Sequence, residues 1–366
     1  MFSRYRKRSE VIAEAGFPLI ARRKTGVALT VSTISVRQIG ITDIPRLRNL
    51  RRAHVSLVFP DAMHTSQFED VLAAMPLGRR YSRVFVSGTD DSPCALVELR
   101  PEPEDYRWVV TGLGARSAEE CNLTDDLVEI WSGLLSFAVG AAGADGAKRV
   151  HASVPLDGIA YHALLHAGFT VYSHQSVVRA QGLQLASRDV ENVRVREREP
   201  SDTWSIHHLY HLTTPRPVQY AEALTSNHWD SHRTLNLRTR GFVIDDRDGL
   251  AGYCQVGGRG SQHTLELMIL PGKLHMLPAL ISQAVKLAKI NPAEPVWVAV
   301  PEYHREYVPM LESIGFQEVG RQASMVRYTM VPACVHPSRW ANVVTDVIER
   351  LPARTPVVSR CAQSRG

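Results

Sequence analysis

The sequence contains an internal repeat, and this feature constrains the fold more than any other. The two copies begin alike and end alike, with the matching residues 159 positions apart at the beginning and 146 or 147 positions apart at the end. In each copy the hydrophobic pattern predicts a strand, a helical region, three strands, a long helix, a buried strand, a helix and a final strand. The sequence therefore predicts two tandem α/β domains, at 33–180 and 192–332, joined by a polar linker at 181–191. The matching pairs are Val36 and Val195, Arg37 and Arg196, Asp43 and Asp202, Pro155 and Pro301, and Gly168 and Gly315.

Each copy closes with the same short motif, a helix followed by glycine and phenylalanine. The two versions are ALLHAGF, which places Gly168 before Phe169, and MLESIGF, which places Gly315 before Phe316. A glycine in the left-handed conformation ends a helix at little steric cost. The aromatic residue after it buries a large apolar surface as the chain returns to the sheet.

The repeat, its strand order and the Gly-Phe motif together resemble the Gcn5-related N-acetyltransferase (GNAT) superfamily. The resemblance covers about residues 33–180 and 192–332. It implies, in each copy, a mixed α+β sheet in which two neighbouring parallel strands part and acyl-coenzyme A lies in the gap. It also implies that backbone N–H groups at the start of the long helix hold the pyrophosphate, because such groups and the helix dipole attract anions.

Both copies depart from the glycine-rich phosphate loop of the family. In the first copy Asp125 and Asp126 stand at the helix start, where carboxylates repel a phosphate. In the second copy the family's glycine positions fall on Leu277 and Ala279, and Pro278 between them has no N–H group. We therefore expect acetyl-CoA to bind in the second copy if it binds at all. The residues expected to hold it are Gly272, Lys273, Leu274, His275 and Ala279.

The resemblance also implies a catalytic base, Glu266, on the strand before this loop. A base is needed because the attacking amine must lose a proton. In the first copy Arg107 and Trp108 are expected at the matching place, which has no acid. The tyrosine that usually serves the family as an acid is replaced by Leu164 and Leu311.

Two functions stay open from the sequence. The first is an acyl-CoA-dependent N-acetyltransferase that acts through its second domain on an amine the sequence does not identify. The second is a catalytically inactive tandem protein that binds a ligand or a protein partner. By analogy with the family, the segment TTPRPVQYAEAL, which begins at Thr213, lies at the wall of the acceptor site.

The termini carry two further features. Residues 1–32 form a basic extension, and its first 24 residues account for the whole net charge of +5. This extension is predicted to be a solvated tail or a docking arm for an acidic partner. Residues 333–366 include an amphipathic helical pattern from Trp340 to Leu351 and a tail.

The remaining side chains exclude several classes of protein. Five scattered cysteines without a CxxC pair favour a reducing compartment, here the cytoplasm. We expect no transmembrane segment, because a span needs roughly 18 to 20 apolar residues in a row. His207 and His211 have the i, i+4 spacing of metal ligands, but no third ligand is near in sequence, so we expect no metal. Tyr161 and Tyr307 are expected to pack in the core.

Overall fold

The computed structural model describes residues 35–39, 55–57, 83–89, 92–102, 106–115, 127–181, 183, 193–230, 239–247, 249–259, 262–291 and 293–329. The basic extension, the C-terminal amphipathic segment and Asp125 and Asp126 lie outside these residues. The described strands are β1 Ser35–Gln38, β2 Val55–Ser56, β3 Arg83–Thr89, β4 Ser92–Pro101, β5 Arg107–Ala115, β6 Arg149–Pro155, β7 Thr170–Gln181, β8 Val195–Glu197, β9 Arg240–Asp246, β10 Gly249–Arg259, β11 Gln262–Ile269, β12 Pro295–Pro301 and β13 Gln317–Tyr328. The described helices are α1 Leu127–Ala144, α2 Ile159–His166, α3 Thr203–Thr213, α4 Arg216–Glu222, α5 Leu277–Ala288 and α6 Tyr307–Ser313, with 3-10 helices at Pro200–Asp202, Ser226–Trp229, Pro271–Met276 and Glu302–His304.

The two Gly-Phe motifs form the same helix end, as the sequence predicts. Gly168 and Gly315 have φ angles of 80° and 101°, in the region that favours glycine. Phe169 donates its N–H to Leu164 O and Gly168 donates to Leu165 O, which together make a Schellman motif. The bonds from Phe316 to Leu311 and from Gly315 to Glu312 repeat it in the second copy. Both phenylalanines are buried, so each motif anchors the strand that follows.

All thirteen described strands belong to one mixed sheet. The order of strands is β1-β3-β4-β5-β6-β13-β7-β12-β11-β10-β9-β8, and β2 pairs with β5 beside this path. Strands β1–β7 belong to the first half of the chain and β8–β13 to the second. The tandem mixed α/β fold expected from the repeat is therefore present.

The last strands of the two halves are exchanged. Strand β13 pairs with β6 of the first half, for example at Ala323 and Val154. Strand β7 pairs with β12 of the second half, for example at Val178 and Val298. Strands β7 and β13 also pair with each other and so form the centre of the sheet. Each half thus supplies the strand that covers the edge of the other.

A pair of parallel strands parts in each half. Strands β5 and β6 pair from Arg107 to Val109 on β5, and β11 and β12 pair from His263 to Leu265 on β11. Both β5 and β11 continue for several residues beyond the last of these pairs. Each half therefore has a wedge-shaped opening between its parallel strands, which we call the first and the second opening.

The helices cover the sheet unequally. Helices α1 and α2 contribute to the apolar core of the first half, and α5 and α6 contribute to that of the second. Helix α3 packs on the other face of the second half, in a smaller cluster with Trp229, Tyr253 and Met268. This second face carries the cavity described below.

Helix α1 is the one helix among the described residues that is long and apolar enough to cross a membrane by length and composition. One face of the helix packs inside the protein, with six of its residues buried. Trp131, Leu134, Leu135 and Ala138 are buried in the core of the first half. The helix therefore has the packing of a core helix.

Candidate functional site

A cavity of about 350 Å³ lies on the α3 face of the second half, next to the second opening. Its polar lining includes Glu266 of β11, Glu222 at the end of α4, Tyr210 of α3 and Tyr303 after β12. Arg107, from strand β5 of the first half, also lines it. The cavity is large enough for a small molecule and is richer in carboxylates than in cations.

Glu266 is the first residue of β11 beyond the last pairing with β12. Alternation along the strand turns its side chain away from the buried Leu265 and Leu267 and into the cavity. The Glu266 side chain is exposed to the space of the cavity, and the protein atoms around the cavity partly desolvate its carboxyl. This desolvation, together with repulsion from Glu222, raises the pKa of Glu266 to about 7, although Arg107 opposes the shift. Glu266 therefore changes its charge near neutral pH, which suits a general base.

Glu222 is a second carboxylate in the cavity wall. Its Oε2 accepts a hydrogen bond of 2.7 Å from the Tyr210 hydroxyl. Burial raises the pKa of Glu222, while the hydrogen bond from Tyr210 and the charge of Arg107 act in the opposite direction. Two carboxylates in one partly enclosed space favour a ligand that carries positive charge.

Two residues that follow β12 complete this side of the cavity. The His304 ring stacks on Tyr307, with centroids 4.5 Å apart and planes 6° apart. Burial lowers the pKa of His304, so the neutral ring is favoured. Burial and the nearby Glu222 raise the pKa of Tyr303, which keeps that hydroxyl protonated as a hydrogen-bond donor.

The parallel pairings show which residues of the two openings correspond. Val109 pairs with His151 in the first half, and Thr264 pairs with Trp297 in the second. The offset between Pro155 and Pro301 makes His151 and Trp297 equivalent, so Thr111 is the counterpart of Glu266. The expectation that Arg107 and Trp108 would stand there is wrong by this register. Thr111 is buried and its hydroxyl donates to Glu98 O at 3.4 Å, so the first half has no acid at this point.

The first opening is filled by the chain itself. Strand β2 pairs with β5 at Leu113 and Gly112, and Leu57 donates its N–H to Thr111 O at 2.9 Å. Strand β4 holds the opposite edge of β5, so β2 takes the edge that the departure of β6 leaves free. In the second half, no described strand pairs with the equivalent edge of β11 from Glu266 to Met268.

An aromatic side chain binds the backbone at the far end of each opening. The Tyr307 hydroxyl contacts both the N–H and the carbonyl oxygen of Ile269, at 3.1 and 3.2 Å. The Trp131 Nε1 donates to Gly114 O at 3.0 Å, at the equivalent place in the first half. The buried Tyr307 is therefore a core residue, as expected. Its hydroxyl satisfies a strand end that has lost its partner.

The expected phosphate-binding residues do not form a glycine cradle. Residues Pro271–Met276 form a 3-10 helix, which uses N–H groups in its own i→i+3 bonds. Leu277 and Ala279 are buried, and a side chain at Gly272 would meet no atom within 4 Å. Lys273 Nζ lies 2.9 Å from Asp246 Oδ2. Leu274 packs against the core, and His275 is exposed.

These observations test the fit of acyl-CoA. The open edge of β11 fits an extended acyl arm, because its backbone groups face a gap. The loop offers a diphosphate the side chains of Lys273 and His275 and little else. The second half thus fits one part of the cofactor well and the other part poorly. In the described part of the first half, β2 occupies the equivalent edge and Thr111 stands at the position equivalent to Glu266.

The histidine pair on α3 is explained by hydrogen bonding. Trp229 Nε1 donates to His207 Nδ1 at 3.2 Å, which places the proton of that ring on Nε2. His207 Nε2 then donates to His211 Nε2 at 3.1 Å, and His211 Nδ1 donates to Gln219 Oε1 at 2.6 Å. A metal on His207 Nε2 would require a proton on Nδ1, where the tryptophan already donates. Within the described residues no group of three candidate ligands is close enough to hold a metal.

Comparison with known proteins identifies the class of fold. No protein-family model matches the sequence, and no curated protein matches it. The structure is similar to a GCN5-related N-acetyltransferase from Sphaerobacter thermophilus, with a TM-score of 0.51 and 12% identity over 81% of this chain and 95% of that one. It is also similar to a tandem GNAT protein from the clavulanic acid biosynthesis pathway, with a TM-score of 0.50 and 11% identity over 81% of this chain and 98% of that one.

The chain has the GNAT fold. More particularly, it has the tandem GNAT arrangement, with two copies in one polypeptide. The comparison agrees with the fold expected from the repeat. At this level of identity it concerns the fold, and the chemistry has to be argued from the site.

Sequence reasoning did not identify Glu222, Tyr303 or Arg107 as site residues. The segment from Thr213 was expected near an acceptor wall, and the structure brings its members Thr214, Glu222 and Leu224 to the cavity. An acid within that segment was the available signal for Glu222. Arg107 gave no such signal, because it belongs to the other half of the chain.

Proposed function

We propose that the second half is an N-acyltransferase site for a small, positively charged amine, with Glu266 as its general base. The first half has no site of its own and supports the second. The acceptor amine binds in the cavity, where Glu266 and Glu222 attract its charge. Acetyl-CoA is the proposed acyl donor.

The observation that carries this proposal is the difference between the two openings. The second combines a free strand edge with an acid whose pKa is raised to about 7. The first has strand β2 on that edge and Thr111 at the place of the acid. A working site needs both features of the second opening.

The residues of the cavity have different roles in the proposed reaction. An aliphatic amine is protonated at neutral pH and is not nucleophilic until it loses a proton. Glu266 takes that proton, and burial makes it a stronger base than an exposed carboxylate. Glu222 and Tyr303 hold the amine in place by charge and hydrogen bonding. When bound, acyl-CoA would supply the acyl carbon for the new C–N bond, its C–S bond would break, and coenzyme A would leave as the thiol with the second proton of the amine.

Residues at the start of α5 would hold the cofactor. Lys273 and His275 would face its diphosphate, Gly272 leaves space beside it, and Leu274 and Ala279 lie on the core side of the loop. Because the loop lacks the glycine cradle, we expect weaker binding than a complete phosphate loop gives.

Calorimetric titration with acetyl-CoA and with coenzyme A tests the donor site. We expect one site per chain, weakened about tenfold by the double change Lys273→Ala and His275→Ala, since the loss of two polar contacts to a diphosphate at a partly exposed site costs roughly 1 kcal/mol or a little more. Lys286→Ala, on the exposed side of α5, is the matched control. Two sites per chain, or no binding at millimolar ligand, contradicts the proposal.

A second function is favoured by the loop. Leu277 is fully buried at a glycine position of the family, Pro278 lacks an N–H group, and Lys273 is paired with Asp246. These features support a catalytically inactive tandem protein that binds a cationic ligand without acyl-CoA. Binding of an amine in the cavity together with no binding of coenzyme A would select this alternative.

The cellular setting also stays a proposal. The scattered cysteines support a cytoplasmic protein. The basic N-terminal extension would contact an acidic partner, if it has one.

A further inference from the structure

Arg107 belongs to the first half by sequence and to the second half by position. It is the first residue of strand β5, where it pairs with Arg149 of β6. Its side chain is buried and reaches the wall of the cavity that holds Glu266 and Glu222. Its Nε lies 3.1 Å from Glu102 Oε2, which fixes the guanidinium at the boundary between the halves.

The first half gives Arg107 no site of its own to serve. Strand β2 closes the first opening, and Thr111 stands where an acid would be needed. Gln175 of β7 also reaches the cavity, and its Oε1 accepts a bond of 2.6 Å from Gln322 Nε2 of the exchanged strand β13. The first half thus contributes two polar side chains to a cavity built mainly by the second.

The charges around Glu266 show what Arg107 does there. Glu222 and Glu102 disfavour ionisation of Glu266, and Arg107 favours it. The same cavity is lined by the Tyr210 and Tyr303 hydroxyls and by the rings of His228 and His304, and burial favours the neutral form of His304. The titratable groups that line the cavity with Glu266 or interact with its charge are Glu222 of α4, Arg107 of β5, Glu102 after β4, Tyr210 of α3, Tyr253 of β10, His228 of the 3-10 helix at Ser226–Trp229, and Tyr303 and His304 after β12, while Cys254 of β10 lies in the core on the opposite face of the sheet.

We propose that Arg107 is a positioning residue through which the first half favours the ionised form of Glu266 in the second half, the form that accepts a proton. Without the guanidinium, Glu266 would keep the repulsion of Glu222 and Glu102 and lose the attraction of Arg107. The inference rests on the proposed role of Glu266 as a base. It explains why a half with a closed opening is retained in the site.

The test is a pH titration of Glu266 itself. It is monitored by carbon NMR of protein in which the glutamate carboxyl carbons are labelled. The signal is assigned by its loss in Glu266→Gln. We expect Arg107→Gln to move the titration midpoint upward by on the order of one pH unit, because a positive charge in the same cavity lowers the pKa of a carboxyl. Arg107→Lys keeps the charge and should restore most of the shift. Arg83→Gln is the matched control, since it removes an ion pair with Asp145 elsewhere in the first half.

The same variants are then compared in acetyl transfer to a small alkyl amine. With the midpoint one unit higher, the ionised fraction at pH 7 falls about fivefold, and it recovers at pH 9. An unmoved midpoint in folded Arg107→Gln, or a shift that Arg107→Lys does not reverse, overturns the inference. If the midpoint of Glu266 moves as expected but the protein transfers no acetyl group, the effect of Arg107 on the charge of Glu266 is upheld. The proposed acetyltransferase function is then refuted.

A second variant covers the case in which Arg107→Gln does not fold. Glu102→Gln removes an anion and leaves the guanidinium free to act on the cavity. We expect it to lower the midpoint of Glu266. A rise, or no change, counts against the inference.

Discussion

The two openings of the sheet have the same origin and different contents. In each, parallel strands part after three paired residues, and an aromatic side chain binds the backbone at the far end. In the first opening, strand β2 pairs with the edge of β5 that β6 leaves, and the buried Thr111 stands at the position equivalent to Glu266. In the second, no described strand pairs with the equivalent edge, and Glu266 stands there, facing a cavity.

The features that both openings share can be distinguished from those found in one opening alone. Parting strands and backbone caps occur in both halves, so they belong to the architecture. A free edge and a carboxylate occur in one half, so they are the features that a function would use. The comparison assigns the chemistry to residues that the two halves do not share.

The largest effect is expected from substituting Glu266 and comparing the result with a substitution of Thr111, its counterpart in the first half. Glu266→Gln should lower the rate of acetyl transfer by about 10²-fold or more, because a positioned base contributes 10²–10⁴-fold. Thr111→Val changes the equivalent residue of the first half and should leave the rate close to wild type. Steady-state kinetics of both variants at pH 8 checks this, and equal losses in the two would show that the halves are not different in function.

The next effect concerns the strand that fills the first opening. Leu57 is buried in the first core, so Leu57→Ala should lower the free energy of unfolding by about 2–5 kcal/mol. Chemical denaturation measures it, with Val319→Ala at an exposed position as the control. A loss below about 1 kcal/mol would mean that the segment does not fill the opening tightly, and the contrast with the second half would weaken.

A smaller effect is expected from pH. Because the pKa of Glu266 is raised to about 7, the ionised base is scarce at pH 6 and abundant at pH 8. The rate should therefore rise about tenfold between these values, following the ionised fraction. A rate profile of kcat/KM against pH measures it. A midpoint near 4 would show that the carboxylate is not held in the cavity as described.

The smallest effect concerns the two backbone caps. Tyr307→Phe and Trp131→Phe each remove a donor to the strand end, and Tyr307→Phe also removes an acceptor from Ile269 N–H. We expect each change to lower the free energy of unfolding by about 1–2 kcal/mol, the cost of an unsatisfied buried backbone group. Thermal and urea unfolding compare them. A neutral Tyr307→Phe would indicate that another group binds Ile269.

Much of the fold could be predicted because both copies of the repeat carry the same pattern of helices and strands. The Gly-Phe motif specifies a helix end that depends on local backbone geometry, and both copies form it at Gly168 and Gly315. The long helix of the second copy begins at Leu277, where the pattern places it. Glu266 was identified as a candidate because alternation along a strand decides which way a side chain faces.

The exchange of the last strands could not be predicted. Strands β7 and β13 follow equivalent motifs, so either can pair with β6 or β12 using similar apolar positions. The choice depends on how the two halves meet, which local sequence does not encode. Arg107 and the closing strand β2 were missed for the same reason, since their roles depend on contacts between distant parts of the chain.

The exchanged strands also bear on how the polypeptide is made. Residues of β6 emerge from the ribosome long before their partner β13, which is the last strand of the described chain. Until then the first half keeps an exposed edge, a state that favours association with other chains. Strand β13 must be synthesised before the edge of β6 is covered, whereas β12 meets its partner β7 as soon as it is made, so the first copy is completed only after the other strands of the second.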